Sequence, residues 1–223
     1  MNFNVEKYKD FYFETAKELL QTPSPSGYYK EVMAVVKGYA EELGAEFSLT
    51  RKGCAILSVK GKDSSRTLGL AAHCDTLGAM IRGISANGEL TFSKVGGPQL
   101  PTLDGEYCTI ITRDGKRYTG TFLSKSPSSH VYQDAATRPR DDANMYVRLD
   151  EKVKNAKDVR DLGIESGDYV CIDPKTTVTE SDFLKSRFID DKASVACFIT
   201  LLKIMKEENL VPEYDVKMLI TMY

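Results

Sequence analysis

Two short clusters in this sequence carry side chains able to hold a cation. One is His73-Cys74-Asp75, just after the apolar run Leu70-Ala71-Ala72; the other is Asp190-Asp191, followed by Lys192-Ala193-Ser194-Val195-Ala196-Cys197-Phe198. In extended backbone, residues two apart project to the same side, so His73 and Asp75 face together. The imidazole can then bind a metal through one nitrogen while the carboxylate holds the other, fixing tautomer and ring direction. A carboxylate at the start of a helix lies at the positive end of the helix dipole, which favours its ionised form. Together the clusters predict half of a two-metal hydrolase site. Each alone has a bland reading: His-x-Asp is frequent by chance, and Asp-Asp before a helix is often only an N-cap, a role open to Asp191.

The elements that must position these residues follow from apolar spacing. Val5, Tyr8, Tyr12, Ala16, Leu19 and Leu20 fall near a 3.6-residue period, which predicts an amphipathic helix over 5–20, ended by Thr22-Pro23-Ser24-Pro25. A second helix over 28–43 can be capped by Ser26 and stops at Gly44. Strands are predicted at 47–50, 55–59 and 67–72. Beyond Asp75 the pattern turns to hairpins, 79–85 with 89–92 around Asn87-Gly88 and 107–112 with 118–123 around Asp114-Gly115, because Asn, Asp and Gly tolerate positive φ. A polar loop over 124–142, a strand at 145–149, a short helix over 156–162 and a strand at 169–172 follow. From Arg187 the α/β pattern returns, with a helix over 191–207 and a strand over 214–222. The expected fold is therefore α/β. Residues 1–75 and 175–223 are expected to form one α/β unit, and residues 76–174 an inserted, mostly-β unit.

Composition narrows the function classes. Among 223 residues, 28% are charged but the net charge is only -2, so no concentrated basic face is available for nucleic acid or an anionic membrane. Residues 1–7 have no apolar core of a signal peptide, and no segment reaches a membrane-spanning length, which points to the cytoplasm. Five widely spaced cysteines, odd in number and without a Cys-x-x-Cys pair, read as reduced core thiols.

In this setting a set of landmarks resembles one family. They run in order: Pro25-Ser26-Gly27-Tyr28, Ala72-His73-Cys74-Asp75-Thr76-Leu77-Gly78, Val95-Gly96-Gly97, Asp114-Gly115 with Gly120, Ser124-Lys125 and His130, Gly163-Ile164-Glu165-Ser166-Gly167-Asp168, and Ile189-Asp190-Asp191-Lys192. Their collinearity is similar to that of the glutamyl and deblocking aminopeptidases of the tetrahedral aminopeptidase group. The resemblance implies a dinuclear metallopeptidase in which a β-barrel-like dimerisation domain is inserted into an α/β catalytic domain. It implies two divalent ions, zinc or cobalt, with His73 a ligand of one, Asp190 bridging both, Asp75 orienting His73, and a cis peptide between Asp190 and Asp191. It further implies peptide substrates and a homo-oligomer. Cys74-Asp75-Thr76-Leu77 stands where the family more usually has Met-Asp-Glu-Ile, a change that removes no ligand.

In the family a strand like 216–223 runs into Glu-Glu-Val-Gly, the first glutamate being the general base and the second a metal ligand. A further aspartate and a last histidine lie beyond it. None of these is in this sequence, so the resemblance implies a C-terminally truncated catalytic unit, inactive by itself. Two other readings compete. A non-catalytic assembly subunit could oligomerise through the inserted β unit, and a glycoside hydrolase would need two acids flanking a sugar cleft, which His73 with Asp190 fits less well. His130, in a Ser/Pro-rich loop, reads as structural or exposed, and Cys74 as packed and not nucleophilic.

Overall fold

A computed structural model describes residues 4–223. Residues 1–3, part of the stretch read above for its lack of an apolar leader, lie outside the described residues. The chain divides into two compact units, Met1–Thr76 with Pro174–Tyr223, and Leu77–Asp173. It has the expected α/β character, with a closed six-stranded barrel in the second unit.

The first helix opens as a tight 3-10 turn, Val5–Tyr8, before α1, Lys9–Gln21. Helix α2, Lys30–Leu43, ends on Gly44, whose left-handed φ of 79° lets the Ala45 amide reach the Ala40 carbonyl at 2.9 Å. Strands β1 (Glu46–Leu49) and β2 (Ala55–Val59) pair antiparallel. Strand β3, Asp63–His73, is longer than the predicted 67–72. Its first residues extend because the opposite strand accommodates them through a register shift between Tyr214 and Asp215.

The second unit holds β4 (Gly78–Ile84), β5 (Leu90–Val95), β6 (Tyr107–Ile111), β7 (Arg117–Ser124) and β8 (Met145–Leu149). They are followed by a short α3 (Ala156–Asp161) and β9 (Tyr169–Ile172). The side chain of Asn155 caps α3, accepting from the amides of Lys157 and Asp158. The six strands close in the order β4-β5-β8-β7-β6-β9, around fully buried Phe92, Phe122, Leu90, Ile110, Met145, Val147 and Val170. Gly120 of β7 is required there: a Cβ would stand 2.7 Å from the Arg148 carbonyl oxygen.

Back in the first unit come a two-residue pair, β10 (Thr177–Val178) and β11 (Leu184–Lys185), too short for any sequence period to register. Then follow α4, Ile189–Glu207, and β12, Tyr214–Thr221. The sheet order is β1-β2-β12-β3, with β12 parallel to β3 and antiparallel to β2. Its core joins Leu19 of α1, Val32, Val36 and Ala40 of α2 and Val195, Ile199 and Leu202 of α4 to Leu57, Ala72, Val216, Met218 and Ile220 of the strands. The alternation along β12, with Val216, Met218 and Ile220 buried and Lys217 and Leu219 exposed, is that of a sheet covered on one face.

Candidate metal centre

His73 is the last residue of β3 and pairs with Thr221 of β12, so it stands at the carboxyl end of the parallel strand pair, where open α/β sheets place their ligands. The chain leaves β3 through Cys74, whose amide donates to the Thr221 carbonyl at 2.9 Å. Asp190 and Asp191 precede the regular part of α4. Their backbone angles are non-helical (φ -78°, ψ 105° and φ -127°, ψ 21°), and the peptide between them is cis. The regular turns start from Lys192, not from Asp191 as the sequence pattern predicts.

The two clusters converge. His73 Nε2 lies 3.2 Å from Asp190 Oδ1, and the other ring nitrogen, Nδ1, lies 3.3 Å from Asp75 Oδ1. The second contact has the reach of an ion pair without hydrogen-bond geometry, since Nδ1 is buried and has no hydrogen-bond partner. Exposure grades across the trio: the side chain of Asp75 is 18% exposed, His73 37% and Asp190 95%. The ring is thus backed by a sheltered carboxylate and faces one that points into solvent. Cys74 between them is fully buried, and burial pushes its thiol up to about 12, so it stays protonated and unreactive at neutral pH. The reading of all cysteines as core thiols is corrected in part: Cys74, Cys108 and Cys171 are buried, Cys54 is partly so, and Cys197 is exposed.

Donor type and spacing suit a zinc-like ion. Imidazole and carboxylate are its common nitrogen and oxygen ligands, and two donors on one tetrahedral ion stand about 3.3 Å apart, given bonds of about 2.0–2.1 Å. Donor number does not suit it. Among the described residues no group of three His, Cys, Asp or Glu is placed to hold one metal ion, whereas a catalytic zinc takes about three protein ligands. His73 and Asp190 therefore fit as part of a donor set and not as a whole one.

The sequence pattern misplaced one residue of this region and overlooked two. Ser26 does not cap α2, whose N-cap is Tyr29; its hydroxyl donates to Asp75 Oδ2 at 2.6 Å. Ser24 Oγ donates to the Cys74 carbonyl at 2.7 Å. Lys192, 1% exposed, donates through Nζ to the carbonyls of Leu19 (2.8 Å) and Thr22 (2.7 Å). A lysine within an apolar helical run was the available signal for the last, because a buried ammonium demands partners. His130 lies in a solvent-exposed turn of the second unit, and among the described residues no helix is long and apolar enough to cross a membrane.

Comparison with known proteins places this geometry. The chain is 43% identical over 208 residues to YhfE of Bacillus subtilis, a protein provisionally named an aminopeptidase, covering 93% of this chain and 60% of YhfE. In structure it is similar to a TET aminopeptidase from a marine sediment Thaumarchaeota archaeon, with a TM-score of 0.85 at 22% identity, covering 95% of this chain and 59% of that one. It is also similar to the TET1 peptidase of Pyrococcus horikoshii, described as assembling into a tetrahedron or a large octahedral shell, with a TM-score of 0.79 at 22% identity, over 94% of this chain and 60% of that one. The chain thus spans about 60% of the length of its relatives. The M42 glutamyl aminopeptidase family matches residues 53–223, more than half of the chain, and the chain belongs to that family.

Proposed function

We propose that the protein to which this chain corresponds is a metal-dependent aminopeptidase, removing N-terminal residues from peptides. The observation that carries this reading is the convergence of His73 Nε2 and Asp190 Oδ1 to 3.2 Å, in a member of a peptidase family. Membership of the family supports two divalent ions, zinc or cobalt, as the cofactors, and the 3.2 Å separation fits two donors of one such ion. When bound, such ions act as Lewis acids toward the scissile carbonyl and acidify water. The chain's own residues prepare for this. Asp75, sheltered beside Nδ1, favours the tautomer with its proton on Nδ1, which leaves the Nε2 lone pair free. Asp190, exposed at the start of α4, faces it with a carboxylate oxygen, and Asp191 serves as the turn into the helix. The assembly of the Pyrococcus relative supports a homo-oligomer, with the barrel as the contact unit in the role of dimerisation domain. The five cysteines, none paired with another, fit a reducing, cytoplasmic location.

The test joins calorimetric titration with zinc to an assay on aminoacyl nitroanilides, using the 223-residue chain, His73→Ala and Asp190→Ala. The expected result is weak zinc binding that both substitutions abolish, and turnover no faster than in His73→Ala, because only two donors of the set are present. Zinc binding untouched by either substitution overturns the assignment of the donors. Metal-dependent turnover that vanishes in His73→Ala overturns the claim that the set is incomplete.

A further inference from the structure

The connector between α1 and α2 touches both halves of the candidate centre. At its start, where α1 ends, it receives Lys192, which ties the first regular turn of α4, just after Asp190-Asp191, to the carbonyls of Leu19 in the last turn of α1 and of Thr22. Further on it grips the exit of β3 residue by residue. Thr76 N donates to the Ser24 carbonyl (2.8 Å), Ser26 N to the Thr76 carbonyl (3.2 Å), Ser24 Oγ to the Cys74 carbonyl (2.7 Å) and Ser26 Oγ to Asp75 Oδ2 (2.6 Å). Pro25 and Thr76 thereby form an isolated parallel bridge. Of these bonds, only that of Ser26 Oγ ends on a side chain of the trio.

We infer that Ser26 is a positioning residue for His73, acting through Asp75, within a connector that sets the β3 exit and the α4 start against each other. A carboxylate on a free side chain turns about two torsions. Holding Oδ2 by the serine hydroxyl keeps Oδ1 within 3.3 Å of Nδ1, and the backbone bonds of Ser24 and Ser26 prevent the whole 74–76 segment from drifting. A hydroxyl-to-carboxylate bond of 2.6 Å is of the short, charge-assisted kind, roughly twice as strong as a neutral one. The inference rests on the metal-site reading above, so its test separates the two.

The positioning claim is read without metal. The chain has two histidines, His73 and His130, so a long-range proton–nitrogen correlation spectrum gives two ring patterns, and His130 in the other unit serves as internal reference. Ser26→Ala is expected to move the His73 ring-nitrogen resonances toward a mixed-tautomer pattern while leaving His130 in place. Ser26→Thr, which keeps the hydroxyl, restores them. In zinc titration Ser26→Ala weakens binding about tenfold, the lower end of what loss of a ligand-orienting partner costs, and Ser26→Thr recovers it. Should Ser26→Ala lose the fold, Ser26→Cys keeps the shape with a much weaker donor and gives the same comparison. Unchanged His73 resonances in Ser26→Ala, with zinc binding still abolished by His73→Ala, overturn the positioning role and leave the site reading intact. Shifted resonances together with zinc binding that ignores His73→Ala overturn the site reading and leave the positioning role standing.

Discussion

The two units of this chain solve the problem of sheet edges in opposite ways. The barrel of residues 77–173 pairs every strand on both sides, so its backbone donors and acceptors are used internally and its apolar side chains meet in one sealed interior, with Phe92 and Phe122 edge to face at 5.2 Å. The α/β unit keeps an open four-stranded sheet whose outer strand β3 is exposed along most of its length, with Leu68 of β3 54% and Leu219 of the neighbouring β12 37% exposed. The two arrangements divide the labour. Closure gives self-sufficiency, and an open edge gives a site at the strand ends and a surface that can still accept a partner.

The largest expected effect strikes the sealed interior. Phe122→Ala removes half of an aromatic pair from a site that cannot collapse and should cost about 3–5 kcal/mol, whereas Leu219→Ala on the open face should cost about 1 kcal/mol or less. Urea unfolding followed by circular dichroism decides, and equal costs would break the contrast. A middle-sized effect concerns association. Leu68→Lys places a charge on the open edge and should reduce self-association seen by light scattering. Tyr107→Lys should leave this edge-driven part of the association unchanged, because the backbone of β6 is already paired with β7 and β9. A reversed outcome would leave association to the barrel alone.

The smallest effect is in pH, and its sign differs between the units. In the α/β unit, Lys60 at 2.8 Å, the Gly61 amide and the Ser64 hydroxyl hold the Asp215 carboxyl down to about 2. Its folded pKa lies below the ordinary 3.8, so its contribution is complete above that value and is lost as pH falls toward about 2. In the barrel unit, burial pushes Asp168 up despite the Glu165 amide at 2.8 Å. The folded state there holds the proton longer than the unfolded one, so this site loses stability as pH rises through its raised value. Asp215→Asn should blunt the acid transition, and Asp168→Asn should soften the loss that accompanies ionisation of Asp168 as pH rises. Measuring both by unfolding at stepped pH sharpens the contrast, and slopes of the same sign would end it.

What could be read in advance follows the range of the interactions. The two hairpins announce themselves in Asn87-Gly88 and Asp114-Gly115, because a tight turn is decided by neighbours in sequence. Gly44 stops α2 for the same reason. The pairing of His73 with Asp190 was legible through family resemblance and local chemistry, each cluster being short enough to see. The parts that escaped are non-local. The early start of β3 depends on a bulge in a strand some 150 residues later in the chain. Ser26 looked like a cap because nothing nearby in sequence reveals that Asp75 lies within reach. The break in α4 at Asp190-Asp191 sits in residues whose composition is compatible with a first helical turn.

One feature of the barrel bears on how such a chain is put together. Its first and last strands are neighbours, Ala79 facing Val170 across one antiparallel pair, so the points where the polypeptide enters and leaves are separated by roughly a strand spacing of 4.8 Å. To the flanking α/β segments the entire barrel is then equivalent in polymer terms to a tight loop. It imposes little closure entropy on the joining of β3 to α4, and it can lengthen, shorten or be exchanged in evolution without altering the register of β3 against β12. The same property predicts a minimal excision: joining Thr76 to Pro174 through a few glycines should leave the surrounding sheet with its strand order unchanged.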